Sequence, residues 1–294
     1  MKIARFRTRD GQVHVGKVID GSVYELTGHC ASTDCLGKLI AADPNLFAEL
    51  AALPLKGLRA HDLDSIQLLA PLTSPSKFLA IGLNYQSHAD ESLRIGVAQV
   101  QSQIWFNKQV SCIVGPDDAI DHPAVVEQLD YEAELGLMIG RRGRNIRPED
   151  ALDYVAGYMI VNDVSARDWQ KRSPTWTLGK SFDTHGPIGP WLVTPDEIGD
   201  PHSLALSLKV NGELRQQANT SQMIHDIRAQ ISYLSEVMTL EPGDLLATGT
   251  PSGVGVAMTP PKFLKEGDVV TIDIERIGRL SNPVRANLNA ERHL

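Results

Sequence analysis

Aromatic residues are scarce in this chain, 5% of its 294 positions, and cysteine is scarcer, with three. Cys30, Cys35 and Cys112 form no CxxC, and their odd number argues against a disulfide framework. No second Cys/His pair with zinc spacing accompanies Cys30 and Cys35, so idle or buried thiols are expected. Positive charge is also short: 28 Lys+Arg stand against 36 Asp+Glu, for a formal net charge of −8. That balance argues against the basic footprint of a nucleic-acid binder and against an anionic membrane surface. No apolar run approaches the ~20 residues that cross a bilayer, and Met1–Arg7 lacks the apolar core of a signal peptide. Familiar motifs are missing as well. There is no GxSxG, so a serine-hydrolase elbow is unsupported. Gly179-Lys180-Ser181 ends like a phosphate-binding loop, but the glycine that pattern needs is Pro174. The expectation is a soluble, cytoplasmic, acidic globular protein with no nucleic-acid or membrane partner.

What is present suits a folded enzyme. Hydrophobic residues at 42% and charged residues at 22% are ordinary for a globular core. At ~150 residues per domain the length suggests about two domains. Ile3–Thr8, Val13–Ile19 and Val23–Leu26 are strand-like, with Asp20-Gly21 as a hairpin turn. Leu36–Leu53 has helical spacing interrupted at Asp43-Pro44, where Pro suits a helix start. The Pro- and Ser-rich stretch Ala70–Ser76 marks a boundary between a small N-terminal α+β domain, 1–70, and a larger domain, 71–294. In the larger part strand-like runs dominate: Phe78–Gly82, Leu129–Gly140, Val155–Val161, Pro190–Val193, Leu204–Val210, Asp244–Thr248 and Val269–Ile274. Asn211-Gly212 reads as a hairpin turn. One long helix is expected over Ser221–Met238, capped by Thr220 or Ser221. Strands do not alternate with helices, so the fold class is α+β, β-rich, with mixed strands.

The acids form the first pattern. At period two, Glu132 and Glu134 project from the same face of the 129–140 strand. They decorate either a solvated face or a site. Asp163, at the mouth of the apolar run Tyr158–Asn162, favours a site, because an acid there is costly unless paired or bound to a metal. Two Glu and one Asp make an all-oxygen set that suits Mg²⁺ or Mn²⁺ rather than zinc. His88 and Glu91 share one face of a helical turn, either as a surface pair or as a general-base dyad for water. Gly249–Gly255 is a glycine-rich turn that lets a ligand approach the backbone.

Together these stretches resemble the fumarylacetoacetate hydrolase family. The resemblance is carried by KFLAIGLNYQSHADE (77–91), LDYEAEL (129–135), GYMIVNDVSARDWQ (157–170), GKSFD (179–183), GPIGP (186–190) and PGDLLATGTPSGVG (242–255). It spans about Lys77 to Pro283. It implies a mixed β-sandwich roll catalytic domain, a homodimer, and an Mg²⁺ or Mn²⁺ site. Position by position, Glu132, Glu134 and Asp163 match the family's metal ligands, and His88 and Glu91 its water-activating dyad. Lys180 matches the lysine that stabilises developing negative charge; Arg167, Gln170 and Thr250 match substrate contacts. The implied activity is metal-dependent hydrolysis of a C–C bond in a 2,4-diketo acid, releasing pyruvate and a second carboxylic acid. Decarboxylation of oxaloacetate, or isomerisation of a related keto acid, is the alternative on the same site. A binding module without chemistry is a third reading. The stretches Ser92–Gln103, as a lid, and Gln216–Met223 are expected to set specificity.

Overall fold

The computed structural model describes residues 1–30, 33, 35–43, 45–97 and 101–286. Its first part contributes β1 (Lys2–Arg7), β2 (Val13–Ile19), β3 (Ser22–Glu25), α1 (Leu36–Ala42), α2 (Leu46–Ala52), β4 (Ala60–Asp62) and β5 (Gln67–Leu69). Helical spacing over 36–53 thus becomes two helices broken at Asp43; Pro44, read as a helix start, lies outside the described residues. The remainder begins with β6 (Phe78–Gly82), α3 (Gln86–Arg94), β7 (Ile104–Asn107), β8 (Ile113–Val114), β9 (Ile120–His122) and β10 (Leu129–Asp130). It continues through β11 (Ala133–Ile139), β12 (Val155–Asn162), β13 (Ser165–Ala166), α4 (Arg167–Gln170), β14 (Gly186–Val193) and α5 (Pro195–Ile198). The last elements are β15 (Ala205–Val210), β16 (Glu213–Asn219), α6 (Ile227–Val237), β17 (Leu245–Ala247), β18 (Val269–Ile274) and β19 (Gly278–Ala286). Both hairpin turns form where expected: Asp20, Gly21, Asn211 and Gly212 all take the positive φ that tight two-residue turns require.

One twelve-stranded sheet has the order β4-β3-β2-β1-β14-β12-β11-β17-β6-β7, with β5 on β1 and β8 on β14. It crosses the 70/71 point, because β1 pairs antiparallel with β14, Lys2 opposite Val193. A five-stranded sheet, β16-β15-β18-β19-β9, lies apart from it, and β10 and β13 make a short ribbon. Most pairs are antiparallel; β6–β17, β8–β14 and β9–β19 are parallel. The fold is therefore strand-rich and mixed, as expected.

The centre of the large sheet is buried on both faces, and its period-two pattern shows why. Leu135, Leu137 and Ile139 of β11 join Leu206 and Leu208 of β15, Val270 and Ile272 of β18, and Ile227, Ile231 and Leu234 of α6 in one core. Met138, with Met159 and Val161 of β12, belongs to a second core with Leu36, Leu39 and Phe47 of α1 and α2. Each fully buried aliphatic side chain contributes roughly 1.5–3 kcal/mol, so a sheet with two apolar faces is a rigid platform. Among the described residues no helix is long and apolar enough to cross a membrane.

Two expected elements differ. The 129–140 strand is interrupted at Tyr131 and Glu132: Leu129 and Asp130 pair with Ala166 and Ser165 instead, and the Ala133 N–H donates to the Gln216 side chain at 2.9 Å. The long helix begins at Ile227, not at Ser221. The Asp226 side chain caps it, accepting from Ala229 N at 2.8 Å, while Thr220–Gln222 forms a separate short turn. Residues between them are engaged elsewhere. The N–H groups of Ile224 and His225 donate to the backbone and side-chain oxygens of Asn84, at 2.7 and 2.8 Å.

At the head of the larger part, buried Asp244 accepts from Lys77 Nζ at 2.6 Å, Ser76 Oγ at 2.5 Å and the Glu241 N–H at 2.8 Å. Asp244→Ala strands these donors, and an unmade buried hydrogen bond costs about 1–3 kcal/mol. The expected result is a lower urea midpoint with an unchanged slope.

Candidate active site

The antiparallel register of β11 and β12 places Ala133 opposite Asn162, so the start of one strand meets the end of the other. Glu132 just precedes β11, Glu134 lies within it, and Asp163 just follows β12; the Asp163 N–H donates to the Glu132 carbonyl at 2.9 Å. All three carboxylates are buried, with oxygens within 4.8 Å of one another. Glu132 and Glu134 are 4% and 1% exposed, which rules out a solvated face.

Three cations share this cluster. Lys180 Nζ lies 2.8 Å from Glu132 and 2.6 Å from Asp163. Lys108 Nζ lies 2.6 Å from Asp163 and also donates to the Lys180 carbonyl. Arg167 bridges Asp130 at 2.9 Å and Glu132 at 2.7 Å. Among the described residues Glu134 has no such ion pair; it accepts from the Gly249 N–H at 2.7 Å. Gly249 has φ +99°, and a Cβ there would meet the Asn84 Cβ at 2.7 Å, so only glycine brings that amide so close. The electrostatic result splits the two glutamates. Burial opposes ionisation of Glu132, but Lys180, Arg167 and then His88 outweigh it and hold its carboxyl well below the usual range. Burial, reinforced by Asp163 and Glu132, pushes Glu134 well above it. A buried acid facing two like charges, within an all-oxygen set, fits a divalent cation such as Mg²⁺ or Mn²⁺.

His88 and Glu91 lie on α3, both buried. Glu91 Oε2 lies 3.2 Å from His88 Nδ1, and its Oε1 accepts from the Gly253 N–H at 3.0 Å. A carboxylate held at both oxygens fixes the imidazole, and with Nδ1–H given to Glu91 the Nε2 atom is left to take a proton. Asn84 anchors the turn entering α3: its side-chain amide donates to the carbonyls of His225 and Thr248 at 3.0 and 2.8 Å.

Two neutral donors complete the set. Gln170 accepts from Arg167 at 3.0 Å through its side-chain oxygen, which leaves its NH₂ group available. Gln216 accepts the Ala133 N–H through its oxygen, so its nitrogen donates to Thr250 Oγ1 and the Pro251 carbonyl, both at 2.8 Å. Thr250 Oγ1 is thereby an acceptor toward Gln216, and its own proton is left to donate.

A cavity of about 140 Å³ is lined by His88, Glu132, Glu134, Arg167, Gln170, Lys180 and Thr250. Asp163 and Glu91 stand behind this lining and hold Lys180 and His88. The structure thus brings all nine sequence-predicted residues into one neighbourhood. Two buried participants, Lys108 and Asp130, were not among the predicted site residues, and Gln216 was named only as the start of the expected specificity stretch. Asp130 shares the acid-rich run with Glu132 and Glu134, and that was its only signal. The expected specificity stretch 216–223 is corrected. Its first residues belong to strand β16, and none of the eight lines the cavity, because Gln216 is turned inward to Thr250. In the expected lid, Ser92, Ile95 and Val97 line the cavity, while 98–100 lie outside the described residues.

The fumarylacetoacetate hydrolase C-terminal family profile matches residues 77–285. The chain belongs to the fumarylacetoacetate hydrolase family. A second profile, Rv2993c-like N-terminal, matches residues 1–71. The mitochondrial oxaloacetate tautomerase of Xenopus laevis is 50% identical over 222 residues, 75% of this chain and 69% of that protein. Among solved structures, a fumarylacetoacetate hydrolase from Exiguobacterium antarcticum superposes with TM-score 0.87 at 39% identity, covering 98% of this chain and 100% of that one. A maleylpyruvate hydrolase from Sphingobium, solved with manganese(II) and pyruvate, has TM-score 0.81 at 32% identity, covering 97% of this chain and 99% of that one.

For this family member, a divalent ion that binds only the folded chain stabilises it by about 2.7 kcal/mol at a hundredfold excess over Kd. Thermal unfolding with Mn²⁺ against EDTA is expected to show that rise. Asp163→Asn is expected to abolish most of it.

Proposed function

We propose that this chain hydrolyses the C3–C4 bond of a 2,4-diketo acid of the acylpyruvate type, giving pyruvate and a second carboxylic acid. The observation that carries this reading is the His88–Glu91 pair, clamped by the Gly253 N–H and opening on the same cavity as the acid cluster and Lys180. Glu132, Glu134 and Asp163 are the residues that would hold Mg²⁺ or Mn²⁺, which when bound supplies positive charge opposite the oxygens of an anionic substrate. His88 takes a proton from water through Nε2, and Glu91 stabilises the imidazolium. The water oxygen adds to the C4 carbonyl. The C3–C4 bond then breaks with its electron pair passing to the pyruvate fragment as an enolate, which takes up a proton at C3. An ammonium carries three N–H groups. Two on Lys180 are engaged by Glu132 and Asp163, leaving the third for an oxygen on which charge develops. The free NH₂ of Gln170 and the free O–H of Thr250 suit the substrate carboxylate.

A second reading is keto–enol interconversion of oxaloacetate, favoured by the name of the Xenopus relative and by its 50% identity. It uses the same base and the same charge stabilisation without attack by water. The reactions separate in one assay. Acetylpyruvate and oxaloacetate are supplied with and without EDTA, following pyruvate by a coupled dehydrogenase and the enol by its ultraviolet absorbance. Hydrolysis predicts pyruvate and acetate from acetylpyruvate, abolished by EDTA. His88→Ala is expected to lower kcat by roughly 10²–10⁴. Metal-dependent loss of oxaloacetate enol without pyruvate from either compound would replace hydrolysis by the second reading.

A further inference from the structure

The cavity also has an apolar lining to which the reaction above assigns no role. Ile81, Leu83, Phe106, Trp176 and Val256 form it, and Ile95 and Val97 stand at its rim, 45% and 36% exposed. Two of these residues sit in backbone conformations that their side chains oppose: Leu83 has φ 57° and Trp176 has φ 62°. Non-glycine residues in this region are strained, and such strain persists where surrounding structure imposes it, often at binding sites. Trp176 immediately precedes the short helix Thr177–Lys180, so the conformation that places its ring also leads into Lys180. The ring lies on Gly82, where a Cβ would come within 2.5 Å of Trp176 Cζ3. It packs edge-on against Phe106, with ring centroids 5.6 Å apart. The end of β6, the strand β7 and the 176 turn therefore converge on one aromatic wall.

The charges of the cavity point the same way. Arg167 is held between Asp130 and Glu132, and Lys180 between Glu132 and Asp163. The remaining cation along the cavity, Lys171, is exposed to solvent. Lys180 Nζ also lies over the Phe106 ring, 5.0 Å from its centroid, but the one N–H it has left is taken by the reacting oxygen in the reading above, so a second carboxylate set against Trp176 would lose water without gaining a buried partner, which is unfavourable.

We propose that this wall is a subsite for an uncharged apolar tail, so that the chain selects 2-oxo acids carrying an alkyl or aryl group over those ending in a second carboxylate. The proposal rests on the 2-oxo acid reading above and commits that site to a substrate class. Its test is equilibrium binding by calorimetry to the Mn²⁺-loaded protein, using pyruvate and the length-matched pair 2-oxohexanoate and 2-oxoadipate. The expected result is that 2-oxohexanoate binds about tenfold more tightly than 2-oxoadipate, because the two differ only in a terminal methyl group against a carboxylate that would lose water at the wall. Trp176→Ala is expected to remove most of that preference, lowering 2-oxohexanoate affinity by a clearly larger factor than pyruvate affinity. Equal or tighter binding of 2-oxoadipate by the unmodified protein overturns the apolar subsite while the 2-oxo acid reading stands. An equal loss of pyruvate and 2-oxohexanoate affinity in Trp176→Ala also overturns it, since the tryptophan would then only support the fold. Binding of none of the three acids overturns the 2-oxo acid reading, and the subsite with it.

Discussion

The site depends on an imbalance of buried charge. Asp130, Glu132, Glu134 and Asp163 are buried together with Lys108, Arg167 and Lys180, four acids against three cations. Ion pairs satisfy three of the acids, and the surplus falls on Glu134, whose carboxyl is pushed well above its ordinary range by burial and by its two acidic neighbours. Burying a charge without a partner costs several kcal/mol, so the cluster is built for something that binds. A divalent ion would turn one excess negative charge into one excess positive charge. That sign suits an anionic substrate, and it also explains why the nearby polar groups of Gln170 and Thr250 are neutral donors rather than further cations.

Holding like charges this close requires a frame that does not relax. The register of β11 against β12 fixes Glu132, Glu134 and Asp163 from the backbone outward, and the sheet that contains both strands is packed on each face. Its path from β12 continues through β14 to β1, so the first strand of the chain lies two strands away from the one that delivers Asp163. The side-chain hubs are equally economical. Asn84 ties the entry of α3 to residues around His225 and Thr248, and Gln216 ties the backbone between the two glutamates to Thr250. A displacement of the glycine-rich loop therefore reaches the acids, the dyad and the Thr250 donor together.

How much of this was legible in the sequence follows from the range of the forces involved. Period-two alternation and turn chemistry are local, so strands such as Phe78–Gly82 and Val269–Ile274 and both hairpin turns were readable. Glu132, Glu134 and Asp163 were readable because an acid inside or at the end of an apolar strand is anomalous on its own. Lys108 was not, since it follows Asn107 in a stretch with no apolar anomaly and acquires meaning only through Asp163, 55 positions away. Gln216 sits on a strand whose neighbours are polar, so nothing local marks it as turned inward. The helix expected from Ser221 failed for a related reason. Its spacing is genuine, but the amides of Ile224 and His225 are claimed by Asn84, and a long-range hydrogen bond overrode a local preference.

The division of the cavity also bears on which reaction it serves. Interconverting a keto acid with its enol moves a proton at a carbon next to a carbonyl and leaves the rest of the molecule unchanged, so it makes no demand for a large apolar wall. Hydrolysis between C3 and C4 produces two fragments, and the acyl fragment must be held while water reaches its carbonyl. A strained Trp176 resting on Gly82 beside Phe106 is a costly arrangement to maintain for a substrate with no tail. The polar half of the site, with its acids, Lys180 and His88, is common to both chemistries. The apolar half is where they differ, and its presence favours a substrate that has something to place there.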